Sequence, residues 1–148
     1  MRKEYPCLPL VSVSALINYK EKILLIKRAK DPAKGLWSLP GGLVELGEKT
    51  KNSIRRELLE ELGLSVEPTC LIGVEEYIES DSCNRVRYHF VILVYLVKLM
   101  GCKKITPSNE VVDYRWINPK EALKMSLTAT SQKVIKRFIS GKVVCLDS

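Results

Sequence analysis

Hydrophobic and polar positions divide the chain into short apolar or alternating runs separated by turn residues. Leu10 to Ile17 is almost entirely aliphatic or small, Ile23 to Lys27 is a second such run, and the polar Asn18-Tyr19-Lys20-Glu21 lies between them. Runs of this length with polar boundaries predict two strands joined as a hairpin. The segment Leu36-Trp37-Ser38-Leu39-Pro40-Gly41-Gly42 then breaks the pattern. Proline removes a ladder donor and paired glycines permit positive φ, so a short strand running into a tight loop is predicted.

From Thr50 to Leu62 the period changes. Ile54, Leu58 and Leu62 recur every fourth position, one buried stripe of a helix, and Gly63 follows where a left-handed C-terminal cap is wanted. Leu71 to Ile78 and Arg87 to Leu99 are rich in Val, Ile and Tyr and predict strands joined through Glu79 to Asn84; Asp113 to Ile117 predicts a last short strand. Asn118-Pro119 is a helix start, Pro119 to Met125 a short helix, and Ser131 to Ser140 a terminal helix closed by Gly141. Strands on both sides of one strong helix, with another helix late, predict an α/β fold whose mixed central sheet is sandwiched between helices. Gly and Pro punctuate turns, with no repeat and no low-complexity stretch, so a single domain over residues 1–148 is expected.

Composition adds bounds. A chain of 148 residues with 46% hydrophobic content can bury one real core but not two. Cys7, Cys70, Cys83, Cys102 and Cys145 form no C-x-x-C pair, so neither a zinc site nor a disulfide framework is predicted, and a reducing cytoplasm is the simplest setting. The N-terminal Met1 to Pro6 lacks the apolar run of a signal peptide, and Val91 to Val97 is too short to cross a bilayer, so a soluble protein without membrane association is expected. The formal charge of +7 attracts anions, whether a phosphate-bearing substrate or nucleic acid, but a lysine-rich solvated surface gives the same number. Charge alone selects no partner.

The predicted helix changes that picture. Glu57, Glu60 and Glu61 stand at i, i+3 and i+4, within roughly 100° of one helical face. Like charges that close repel, and a divalent cation would reverse the cost; hard oxygen ligands suit magnesium, with manganese as substitute. A bare E-x-x-E-E is more often a solvated acidic face, so the neighbours decide. From Gly42 the chain reads Glu48, then Arg56-Glu57-Leu58, then Glu60-Glu61, then Gly63-Leu64. This matches G-x(5)-E-x(7)-R-E-U-x-E-E-x-G-U, with U aliphatic, at every fixed position. Seven fixed residues at roughly one in fifteen each would coincide at on the order of one in 10⁸ starting points.

That string is the signature of the Nudix hydrolase family, which the chain closely resembles. Gly35 to Gly41 resembles the family's lead-in and Arg115-Trp116-Ile117 its late strand, so the likeness spans about residues 10 to 125. The resemblance implies an α/β/α sandwich that hydrolyses a nucleoside diphosphate linked to another group, by water attack at phosphorus with divalent metal help. It implies Glu57, Glu60 and Glu61 as metal ligands, and Arg56 paired with Glu48 to orient them, a task suited to a planar guanidinium fork. Gly42 and Gly63 serve as loop and cap. The general base is either Glu57 or, on a later loop, Glu110.

Substrate choice lies outside this motif. Arg85-Val86-Arg87-Tyr88-His89-Phe90 together with Gly35-Leu36-Trp37 is similar to ADP-ribose pyrophosphatases, although Ser80 stands where some of those carry proline. Arg85 and Arg87 are candidates to meet a phosphate or ribose, Trp37 (or Tyr88 or Phe90) to stack on a base, and Gly41 and Gly42 to line the loop. ADP-ribose is the substrate expected first; nucleoside triphosphates, an RNA cap, or a non-catalytic nucleotide- or RNA-binding role on the same fold are the alternatives. The apolar Val91 to Val97 would permit a homodimer.

Overall fold

The computed structural model describes residues 2–147. In chain order it contains β1 (Leu10–Tyr19), β2 (Lys22–Arg28), β3 (Trp37–Ser38), β4 (Gly41–Leu43), α1 (Thr50–Leu62), β5 (Val66–Ser80), β6 (Val86–Leu99), β7 (Val111–Ile117), α2 (Pro119–Ala122) and α3 (Ala129–Ile139). The predicted β1–β2 hairpin forms, with Lys20 and Glu21 both at positive φ as a two-residue primed turn requires.

The seven strands run β3-β2-β1-β6-β5, with β4 also on β1 and β7 also on β2. The sheet is mixed, because β1 pairs parallel with β6 from Leu10↔Phe90 to Ile17↔Val97 and antiparallel with β2 and β4. The predicted Val91 to Val97 segment is thus an interior strand, paired on both sides, and its backbone edges are unavailable to a second copy. Two cores cover the two faces. Val13, Ala15, Ile17 and Val97 pack with Ile54, Leu58 and Leu62 of α1 on one face; Leu16, Ile72 and Val94 pack with Val134 and Ile135 of α3 on the other. Each face buries an amphipathic helix, which is the α/β/α arrangement.

Several boundaries differ from the pattern, each for a local reason. β5 starts at Val66 rather than Leu71, passing through Pro68. Among the described residues its only strand partner is β6, so it is an edge strand on which a proline's missing N–H costs little, and the register shifts between Pro68 and Cys70. β7 starts two residues earlier than predicted, at Val111, because it follows β2 across a bulge at Lys27/Arg28. α2 stops at Ala122 rather than Met125. α3 begins at Ala129, because Thr128 is the cap, its Oγ1 accepting from the Ser131 N–H at 3.3 Å. Ser131 is occupied elsewhere: its buried Oγ accepts from the Leu39 N–H at 3.1 Å and pins the β3–β4 loop to α3.

The expectation of unpaired cysteines is overturned. Cys70 in β5 is bonded to Cys145, 75 residues later in sequence, while Cys7, Cys83 and Cys102 are free and exposed. Spacing within a short window cannot reveal a pair that only the fold brings together. The tail is also held by Leu146 N–H donating to Leu71 O and Leu71 N–H donating to Asp147 Oδ1, at 2.8 and 2.9 Å. Asp147 in turn lies 3.6 Å from Lys51 Nζ at the start of α1. Among the described residues no helix is long and apolar enough to cross a membrane.

Candidate active site

α1 presents its polar stripe toward β4 and the loop that follows it. The guanidinium of Arg56 is the hub: Nε donates to Glu48 Oε2 at 2.7 Å, Nη2 to Glu48 Oε1 at 3.0 Å and to Leu43 O at 2.9 Å. Nη1 reaches Glu57 at 2.9 Å and Glu60 at 3.2 Å. Glu48 therefore receives a bidentate fork plus the Ser53 hydroxyl, and the hydrogen bond from Arg56 above all holds its carboxyl down at about 2. Ser53 is the residue that sequence reasoning missed. It lies three positions before Arg56 on the same helical stripe, which is the signal that could have found it.

The carboxylates differ in surroundings. Glu60 is exposed, Glu57 is half-buried and Glu61 is buried, 6% accessible. Burial is the main cause that raises the Glu57 carboxyl, partly offset by Arg56 and reinforced by Glu60 and Glu110. Burial likewise pushes Glu61 up to about 8, with the negative charges of Glu57 and Glu110 adding to it and the positive charges of Arg28 and Lys3 opposing. Two carboxylates that repel each other in a partly dry site are the chemistry a hard divalent cation relieves. Space is made for one of them by a glycine: a Cβ on Gly42 would fall 2.3 Å from the carboxyl carbon of Glu57. The donor set therefore fits such an ion, although among the described residues no three His, Cys, Asp or Glu side chains already converge as a finished cage. Arg56 Nη1 stands between Glu57 and Glu60.

Glu110 comes to this centre from the other side. Its backbone O accepts from Ala29 N–H at 3.2 Å, its carboxylate lies 3.6 Å from Lys30 Nζ, and its loop is tied to α1 by Ser108 N–H donating to Glu61 O at 2.8 Å. Gly63 caps α1 at φ 68°, its N–H returned to the last turn. Gly41 has a packing role: a Cβ there would meet Val13 O at 1.9 Å, so β4 could not lie on β1.

The remaining substrate candidates each have partners within the fold. Trp37 is buried in the α3-side core with the Arg115 guanidinium 5.1 Å from its ring centre. Arg85 pairs with Asp81 at 3.1 Å, and Arg87 pairs with Glu4 at 2.7 Å and Glu79 at 3.8 Å. Tyr88 and Phe90 stack with centroids 6.2 Å apart and are both buried.

Known proteins resemble this chain in sequence and in fold. The family model described as NUDIX domain matches residues 8–138. The ADP-ribose pyrophosphatase of Methanocaldococcus jannaschii is 39% identical over 134 residues, covering 90% of this chain and 75% of that protein. The nucleoside triphosphatase NudI of Escherichia coli is 29% identical, covering 84% and 92% respectively. Among solved structures, a MutT Nudix hydrolase from Burkholderia pseudomallei superposes with a TM-score of 0.75 at 32% identity, covering 87% of this chain and 97% of that one.

Proposed function

The chain belongs to the Nudix family, and on that premise we propose that it hydrolyses the pyrophosphate bond of a nucleoside diphosphate linked to a second group, with ADP-ribose as its first substrate. The observation that carries the reaction class is the pair of mutually repelling carboxylates on one face of α1, Glu57 half-buried and Glu61 buried. The likeness to the Methanocaldococcus jannaschii enzyme supports the substrate.

Glu57, Glu60 and Glu61 are the residues to hold Mg²⁺, or Mn²⁺ in its place. When bound, that ion neutralises the diphosphate oxygens and acidifies the attacking water. Arg56 and Glu48 hold the helix carboxylates in place, and Gly42 lets Glu57 approach the backbone of β4. Glu110, or Glu57 itself, accepts the proton of the water as its oxygen bonds to phosphorus and the bridging P–O bond breaks. The raised proton affinity of Glu57 suits it to that task. ADP-ribose then yields AMP and ribose 5-phosphate.

A second reading, nucleoside triphosphate cleavage to a monophosphate and pyrophosphate, is favoured by the likeness to NudI. A panel of ADP-ribose, nucleotide sugars, dinucleotides, triphosphates and capped RNA, incubated with Mg²⁺ and resolved by product, separates the two. AMP plus ribose 5-phosphate as the fastest products supports the proposal, and pyrophosphate release from triphosphates at a higher kcat/KM replaces its substrate. Turnover should stop on adding EDTA and return with Mg²⁺.

A further inference from the structure

Residues 143–147 follow α3 and contain neither helix nor strand, yet they lie along the outer edge of β5. Gly141, at φ 72°, turns the chain out of α3, and the Lys142 N–H donates to Arg137 O at 3.0 Å. Farther on, Cys145 is bonded to Cys70, and both backbone polar groups of Leu71 are satisfied by the residues after it: Leu71 O accepts from the Leu146 N–H at 2.8 Å and the Leu71 N–H donates to Asp147 Oδ1 at 2.9 Å.

Little apolar burial holds this segment. Val143 packs against the α3-side core, whereas Val144 and Leu146 are 63% and 56% accessible. The other ties are the two hydrogen bonds to Leu71 and the 3.6 Å ion pair between Asp147 and Lys51, made by partly exposed side chains. Solvent-facing ties of this kind do not offset the entropy lost in ordering the backbone, so the disulfide is what keeps the segment in place. Its two cysteines differ in access, Cys145 being exposed and Cys70 buried. The segment also serves α1. The cap residue Lys49 makes no side-chain hydrogen bond, the first turn contains no acidic residue, and Lys51 adds positive charge beside the positive end of the helix dipole. Glu48, just before that turn, is committed to Arg56 and Ser53. Asp147 brings the carboxylate that the turn lacks.

We propose that the Cys70–Cys145 bond is a redox-operated clasp: closed, it holds residues 143–147 on the edge of β5 and Asp147 at the start of α1; opened by a dithiol reductant, it frees that segment while the domain stays folded. A thiolate of the reductant attacks Sγ of the accessible Cys145, forming a mixed disulfide as the Cys70–Cys145 bond breaks and Cys70 leaves as thiolate. The second thiolate of the reductant then displaces Cys145, so the dithiol is oxidised to a disulfide, the two cysteines gain its two electrons, and each takes up one of its protons. The device goes beyond the hydrolase reading and does not depend on it.

Native-state hydrogen exchange of the full chain, read by NMR, tests the clasp. Dithiothreitol should raise exchange at the Leu71 and Leu146 amides at least about tenfold, while Ile17 and Val97 in the core strands are unchanged. Cys145→Ser should do the same without reductant. In oxidised Asp147→Ala, Leu146 should stay within about threefold of the unmodified chain, because the bond still holds the segment. Ser53, whose N–H donates to Lys49 O at 3.0 Å and closes the first turn of α1, should exchange about threefold faster both in that variant and in the reduced chain. Unchanged exchange at Leu146 after reduction overturns the clasp, because the bond then does not hold the segment. Loss of protection at Ile17 and Val97 on reduction also overturns it, because opening the bond then unfolds the domain. Leu146 protection lost in oxidised Asp147→Ala overturns it too, by giving the hold to the ion pair, and Ser53 exchange that ignores both changes overturns the link to α1.

Discussion

A Cβ at Gly41 would lie 1.9 Å from Val13 O, whereas one at Gly42 would lie 2.3 Å from the carboxyl carbon of Glu57. The first obstacle is backbone in a strand pair; the second is the end of a side chain that can turn away. Gly41→Ala should therefore destabilise the fold by about 3 kcal/mol or more, read as a lowered thermal midpoint. Gly42→Ala should leave the midpoint within a few degrees and lower kcat/KM at least about tenfold, because Glu57 is displaced from the centre. Glu48 permits a third prediction at this scale. Its folded pKa of about 2 lies below the ordinary 4.5, so its stabilisation is fully present above pH 4.5 and is lost as pH falls through about 2. Acid unfolding of Glu48→Gln should lack that contribution, giving a shallower loss of stability below pH 4.5 than the unmodified chain. Equal slopes would show that the Arg56–Glu48 fork contributes nothing.

At the scale of elements, α1 was fully legible, from Thr50 to the Gly63 cap, because its apolar stripe, its polar stripe and its cap coincide. Ile54, Leu58 and Leu62 are completely buried, and Leu58→Ala should cost about 2–5 kcal/mol. The family motif was legible for the same reason: its chemistry sits on consecutive turns of one helix. What was not legible depends on partners distant in sequence. β5 begins five residues before the predicted Leu71 and passes through Pro68, which an edge strand tolerates. The predicted start of α3 at Ser131 falls two residues late because Thr128 is the cap. Arg85 and Arg87 read as free cations because Asp81, Glu79 and above all Glu4 reach them only in the folded hairpin. Ser53 is marked in the sequence only by its place on the Arg56 stripe, and its role is set when Glu48 folds back over it.

For the molecule as a whole, the largest departure is covalent. The Cys70–Cys145 bond closes a loop over half of the chain and fastens the tail along β5, with Asp147 reaching Lys51 on α1. By loop entropy such a link is worth about 4 kcal/mol. Cys145→Ser should lower the thermal midpoint by roughly 10 °C. Thiol titration of the oxidised, unfolded chain should count three cysteines, rising to five after reduction. An unshifted midpoint, or five thiols at the outset, would remove the bond from the account.

The most direct measurement of the central claim is ADP-ribose turnover with Mg²⁺ by Glu61→Gln, compared with the unmodified chain at equal foldedness by circular dichroism. Loss of the buried carboxylate proposed to hold the ion should lower kcat at least about 100-fold while the spectrum is unchanged. Undiminished turnover by the folded variant would contradict the assignment of the chemistry to the α1 carboxylates.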